Sequence, residues 1–141
     1  MILTTRGRYA VMAVVDMVEA GSGKPISLSS ISKRQNISLS YLEQIFVSLR
    51  KAGIVKSVKG PGGGYTLGKS SAEVKISNII KAIGEPIKMT RCGNEAVGCM
   101  AKTRCKTHDL WHGLEKTIYL YFESISINDI CNQNLKERKI K

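Results

Sequence analysis

Apolar residues recur near the start of the chain with helical spacing. Ala10, Ala13, Val14, Met17 and Val18 fall at i, i+3, i+4, i+7 and i+8, one face of an amphipathic helix that Thr4 or Thr5 can cap. Gly21-Ser22-Gly23-Lys24-Pro25 ends it, because glycine and proline break the helical path. Ser27 can cap a short second helix carrying Leu28 and Ile31, which stops near Gln35-Asn36. Ser40 and Glu43 then form a Ser-x-x-Glu pair at the head of a third helix. Leu42, Ile45, Phe46 and Leu49 give that helix its inward stripe, and Gly53 its C-terminal stop.

The period then changes from helical to alternating. Ile54, Val55 and Val58 are interleaved with Lys56 and Ser57 and followed by Lys59; Gly60-Pro61-Gly62-Gly63-Gly64 must turn, and Tyr65-Thr66-Leu67 can return as a second strand. Helix, short helix, turn, helix and glycine-tipped hairpin is the order of a winged helix-turn-helix. The chain is therefore expected to be mainly α with a small β-hairpin wing. That unit is placed at residues 1–84, with the recognition helix at about 40–52 and the wing at about 54–67. A fourth helix bears Ile76, Ile79, Ile80 and Ile83 and ends at Gly84.

Periodicity lapses from Glu85 to Lys106, and residues 85–108 read as a ligand-bearing loop. Order resumes with Trp111, Leu114, Ile118, Tyr121 and Ile125, spaced 3-4-3-4 as in a coiled-coil seam. Such a helix can pack on its own domain or pair with its copy, and it is read here as a long dimerisation helix. Residues 109–132 would hold it and a short terminal helix around Ile127, Ile130 and Cys131. Residues 133–141 form a basic tail, expected to be disordered.

The 141 residues carry a net charge of +11, and 43% are hydrophobic, which suits a packed globular chain. The charge is uneven. Residues 1–69 hold ten Lys/Arg against three Asp/Glu, and residues 70–141 hold twelve against eight. A basic N-terminal half predicts a polyanionic partner, since neutralising phosphates releases condensed counterions. A membrane partner is not expected. No apolar run nears the roughly 20 residues that cross a bilayer, and no helix has a Lys/Arg-lined polar face. The stretch Tyr9–Val18 is interrupted by Asp16 and fits an amphipathic helix better than an export signal. The chain reads as cytoplasmic, so its four cysteines favour metal ligation over disulfides.

In a helix-turn-helix the second helix enters the major groove. With its apolar stripe inward, the third helix presents Ser40, Glu43, Gln44, Val47 and Lys51. Gln can bond the adenine edge, Glu accepts from cytosine, and Ser serves either. Ser38, Tyr41 and Arg50 are placed for phosphates. The side-chain-free tip Gly62-Gly63-Gly64 lets backbone approach a phosphate or the minor groove, with Lys59 supplying charge at its base. Residues 63–70, Gly-Gly-Tyr-Thr-Leu-Gly-Lys-Ser, also match a nucleotide-binding phosphate loop. That chemistry requires a parallel sheet and a helix directly after the loop, neither of which is expected here. The chain is not read as an enzyme, and no small-molecule substrate is expected.

Cys92, Cys99, Cys105 and His108 read Cys-x6-Cys-x5-Cys-x2-His. Three thiolates and an imidazole within seventeen residues can close a four-ligand site for zinc or an iron–sulfur cluster. Arg91, Lys102, Arg104 and Lys106 flank them and favour thiolates. His112, one turn beyond His108, could compete, whereas Cys131 reads as a small buried hydrophobe.

Leu3-Thr4-Thr5-Arg6-Gly7-Arg8-Tyr9-Ala10-Val11, Ile37-Ser38-Leu39-Ser40-Tyr41-Leu42-Glu43-Gln44-Ile45-Phe46 and Gly60-Pro61-Gly62-Gly63-Gly64-Tyr65 together resemble the Rrf-type winged-helix regulators. The later Thr-Arg-Cys, Cys-x5-Cys-x2-His and Leu-Trp resemble the cluster-carrying members of that family. The resemblance spans roughly residues 1–132. It implies a homodimer on double-stranded promoter DNA, with a [2Fe-2S] cluster held by Cys92, Cys99, Cys105 and His108. It implies base reading by Ser40, Glu43 and Gln44, with Glu43 making site choice sensitive to cluster state. Control of cluster-assembly genes, by repression or activation, follows from the same resemblance. Two departures stand out: six residues separate the first two cysteines where such relatives carry five, and Lys59 stands where they carry Arg, replacing a planar contact by a point charge.

Overall fold

The computed structural model describes residues 3–90 and 104–135. Helix α1 (Thr5–Gly21) begins at Thr4, whose hydroxyl accepts the Gly7 N–H at 3.2 Å, and α2 (Leu28–Gln35) is capped in the same way by Ser27 on Ser30 N–H. Asn36 adopts a left-handed conformation (φ 53°) and turns the chain into α3 (Leu39–Lys51). The cap of α3 is Ser38, which accepts the Tyr41 N–H at 3.2 Å. The expected Ser40–Glu43 pair thus lies inside the helix. Ser38 holds the extended backbone that a capping hydroxyl needs, and Glu43 is left exposed.

Gly53 (φ 75°) closes α3 and leads into an antiparallel hairpin of β1 (Val55–Val58) and β2 (Gly64–Leu67), with Val55 opposite Leu67 and Val58 opposite Gly64. The hairpin is anchored at its root. Ile26 N–H donates to the Tyr65 carbonyl at 3.0 Å and Tyr65 N–H to the Ile26 carbonyl at 2.8 Å. A Cβ on Gly64 would lie 2.3 Å from the Ile26 carbonyl oxygen, so only glycine admits this approach. The phosphate-loop match falls on β2, and the next helix, α4 (Ile76–Ala82), begins eight residues after Gly68.

The core is continuous through α1 to α4. Val14, Ile31, Leu42, Ile45, Phe46, Leu49, Ile79 and Ile80 are fully buried, each such side chain contributing about 1.5–3 kcal/mol. Phe46 meets the Tyr65 ring edge-on at 5.0 Å, which fixes the hairpin against α3. Asp16, the charge that interrupts the apolar run of α1, is buried and accepts two bonds from Arg34 Nε (3.0 and 3.1 Å), one from Arg34 Nη2 at 2.8 Å and one from Gln35 Nε2 at 2.9 Å. It pins α1 to α2.

Helix α5 (His108–Ser124) follows, then α6 (Ile127–Cys131). The expected seam is corrected at one end. Ile125 lies beyond α5 in extended backbone and is buried with Ile127 in the chain's own core, where Ile76 N–H donates to the Ile125 carbonyl at 3.0 Å and Ile127 N–H to the Val74 carbonyl at 2.9 Å. This short pairing overrides the 3-4-3-4 spacing, because buried extended backbone must find partners. Ser126 and Asp129 then cap α6 reciprocally. Among the described residues no helix is long and apolar enough to cross a membrane.

Candidate nucleic-acid interface and metal segment

Burying one stripe of α3 leaves the opposite face to solvent. Ser40, Glu43, Gln44, Arg50 and Lys51 are all exposed there, with Leu39 and Val47 as apolar neighbours. Side chains of this kind on a projecting helix match the bonding edges of the major groove. Ser38 is exposed while serving as the cap, its Oγ 3.5 Å from Ser40 Oγ. Tyr41 is half-buried, its ring edge-on to Tyr9 at 5.9 Å, so part of it is committed to α1.

On the hairpin, Lys59 is exposed beside Val58. Gly62 stands in open space with φ 75°, a conformation that itself requires glycine. Gly63 has a different reason for its missing side chain. A Cβ there would lie 2.3 Å from the Val58 carbonyl oxygen and 2.8 Å from that of Gly60, so the turn itself forbids one. A bare tip follows from both.

Of the four expected metal ligands, Cys92 and Cys99 lie outside the described residues, as do Arg91 and Lys102. Cys105 and His108 are brought together at the head of α5. The Cys105 carbonyl accepts the His108 N–H at 3.1 Å, Cys105 Sγ lies 3.4 Å from Thr107 Oγ1, and both residues are half-buried. Arg104 and Lys106, both exposed, flank Cys105 on either side. One thiol and one imidazole three residues apart, both half-buried, are the residue types of two members of a Cys3His set. The His112 ring lies parallel to that of His108 with centroids 6.2 Å apart, stacked rather than converging on a point. Among the described residues no three potential ligands gather. Cys131 packs against the core, and burial, followed by the charge of Glu19, pushes its thiol up, which disfavours the ligating thiolate.

Several contacts escaped the sequence reading. Met89 N–H donates to Glu115 Oε1 at 2.6 Å, Ser77 bonds Glu123, and the Glu85 carboxylate sits against Gly7, where a Cβ would come within 2.6 Å of Oε2. Residues 85–89 therefore strap α5 to the first turn of α1. On the other side of that turn, Arg6 reaches Ser48 of α3.

Helix α5 itself is thinly covered. None of its residues is buried; Leu110 is 62% exposed, Tyr119 46%, Leu120 45% and Leu114 38%, while Trp111, Ile118 and Tyr121 are half-buried.

A family profile described as Rrf2, iron-dependent transcriptional regulator, matches residues 3–133. The chain is 48% identical to the HTH-type transcriptional regulator IscR of Photorhabdus laumondii over 94% of its own length and 80% of that protein's. Among solved structures it is similar to T. potens IscR (TM-score 0.78, 30% identity, 99% of this chain and 93% of that one). It is also similar to CymR, the global cysteine regulator of B. subtilis (TM-score 0.80, 28% identity, 94% and 98%). These relatives are regulators of transcription, not enzymes.

Proposed function

The chain belongs to the Rrf2 family of transcriptional regulators, and from that footing we propose that it is a homodimeric, operator-specific regulator that senses iron–sulfur cluster status. Ser40, Glu43 and Gln44 read base edges. Ser38, Tyr41, Arg50 and Lys51 hold phosphates, and the wing adds Lys59 with the bare backbone of Gly62 and Gly63. Cys92, Cys99, Cys105 and His108 hold a [2Fe-2S] cluster, and cluster-assembly genes are the regulated class. The description of the family as iron-dependent, together with the Cys-x5-Cys-x2-His run, supports the cluster.

One observation carries the sensing reading: the half-buried pair Cys105 and His108 stands at the head of α5, the helix whose Leu110, Leu114, Tyr119 and Leu120 its own chain leaves exposed. A second copy packed along Trp111, Leu114, Ile118 and Tyr121 would complete a two-stranded seam. Cys92, Cys99, Cys105 and His108 would hold the cluster, which would supply an iron- and redox-responsive inorganic centre. The strap of residues 85–89 touches both α5 and α1, so a change at the head of α5 has a physical route to α3.

The test is anaerobic purification of the full chain with metal and sulfide analysis. Iron with acid-labile sulfide and a visible spectrum, lost in a Cys92→Ala, Cys99→Ala, Cys105→Ala variant, is expected, together with altered affinity for at least one operator class. A colourless protein containing zinc would replace the sensor by a structural metal. Unchanged binding at every operator would break the coupling.

A further inference from the structure

The first turn of α1 carries a contact that none of the interface residues explains. Arg6 Nη2 donates to Ser48 Oγ at 3.3 Å, across 42 positions of sequence, and Ser48 Oγ donates to the Gln44 carbonyl at 3.5 Å. Among the described residues, Arg6 Nε is buried without a hydrogen-bond partner. Buried donors are nearly always paired, so an exception needs a reason. The side chain is placed by its terminal Nη2, which is committed to Ser48. A guanidinium can only donate, so the Ser48 hydroxyl must accept from it and turn its own hydrogen away, toward the Gln44 carbonyl. Ser48 lies one turn beyond Gln44 on the same side of α3, so this contact braces the flank of the turn that carries the exposed Gln44.

Two further contacts stop that turn of α1 from drifting. Tyr9 meets Tyr41 at the head of α3, so α1 grips the recognition helix at both its first and its third turn. Glu85 packs on the Cα face of Gly7. A phosphate-holding arginine would resemble the exposed Arg50; Arg6 is half-buried and turned toward Ser48.

We propose that Arg6 is a positioning residue for base discrimination: through Ser48 it sets the orientation of the Gln44 turn without touching DNA. This rests on α3 being the base-reading helix. The test uses the full chain and a duplex that the wild-type protein enriches from a random-sequence pool, compared with its single-base variants and a scrambled duplex across a salt series. Ser48→Ala is the key variant, since it deletes one hydroxyl from a helix and installs the best helix former; Arg6→Gln, Arg6→Lys and the Arg6→Gln/Ser48→Ala pair accompany it.

Ser48→Ala and Arg6→Gln are expected to lower the preference for the enriched duplex over its single-base variants by about fivefold, the double variant no further than either single one, and Arg6→Lys by less. Affinity for the scrambled duplex and its salt slope should stay those of the wild type. An intact preference in Ser48→Ala, or additive losses, overturns the proposal. So does an equal loss on every duplex with a shallower salt slope, which would make Arg6 a phosphate contact. If the wild type enriches no duplex, base reading by α3 fails and the inference with it, an outcome distinct from variants that leave a real preference untouched.

Discussion

Helices α3 and α5 are both amphipathic in sequence, yet they are treated oppositely by the fold. Helix α3 buries its whole apolar stripe, Leu42, Ile45, Phe46 and Leu49, and shows solvent a face of bonding groups. Helix α5 buries no residue fully, lays Tyr121 and Phe122 against the core and shows solvent Leu110, Leu114, Tyr119 and Leu120. A pattern of apolar residues states that a face will be covered, not by which chain. For α3 the cover is α1, α2, α4 and the hairpin. For α5 the proposed cover is a second copy, because scattered apolar side chains are ordinary at a surface but a run along one helix is not.

The sharpest way to break this contrast is to replace one residue in each helix. Phe46→Ala removes a fully buried ring and should cost about 3–5 kcal/mol of stability in denaturant unfolding. Leu114→Asp should leave the monomer's secondary structure intact while weakening self-association at least about 30-fold in sedimentation. A comparable loss of fold in both variants would show that α5 is part of the monomer's core after all.

The contrast can be sharpened within the half of the chain that holds α3 through Asp16. Its burial pushes the carboxyl up, but hydrogen bonds from Arg34 and Gln35 and the Arg34 charge more than reverse this, leaving it below the ordinary carboxylate range. Asp16→Ala should cost about 1–3 kcal/mol at neutral pH. Because the folded carboxyl binds a proton less readily than the unfolded one, this contribution is full above a pH of about 4 and declines as pH falls through the folded pKa. The stability difference between wild type and Asp16→Asn should therefore narrow on acidification; a gap that widens would reverse the assignment. Smallest of all, Ser38→Ala should cost about 1 kcal/mol by uncapping α3, whereas Ser40→Ala should leave thermal stability nearly unchanged. A larger loss in Ser40→Ala than in Ser38→Ala would return the cap to Ser40.

Local chemistry made much of this legible. Thr4 and Ser27 cap where a hydroxyl precedes an apolar period, Gly53 and Gly84 stop helices with positive φ, and the glycine run turns the wing, all because neighbours in sequence settle those choices. The Ser38 cap was misplaced by two residues, since two serines competed and only the backbone path into the helix decides between them. Among the candidate ligands, spacing was readable, and the structure adds the pairing of Cys105 with His108 at a helix head.

What the chain determines by itself is therefore the set of elements, their inward faces and the residue types offered at each exposed face, because periodicity, caps and turns depend on residues within a few positions of one another. Tertiary structure alone decided that Ile125 leaves the seam for the core, that Ile26 anchors the wing, that Asp16 meets Arg34 and Gln35, and that Arg6 backs Ser48. Those contacts join residues between 18 and 42 positions apart, or pair short extended segments. Each depends on how whole helices cross, and no local rule records that.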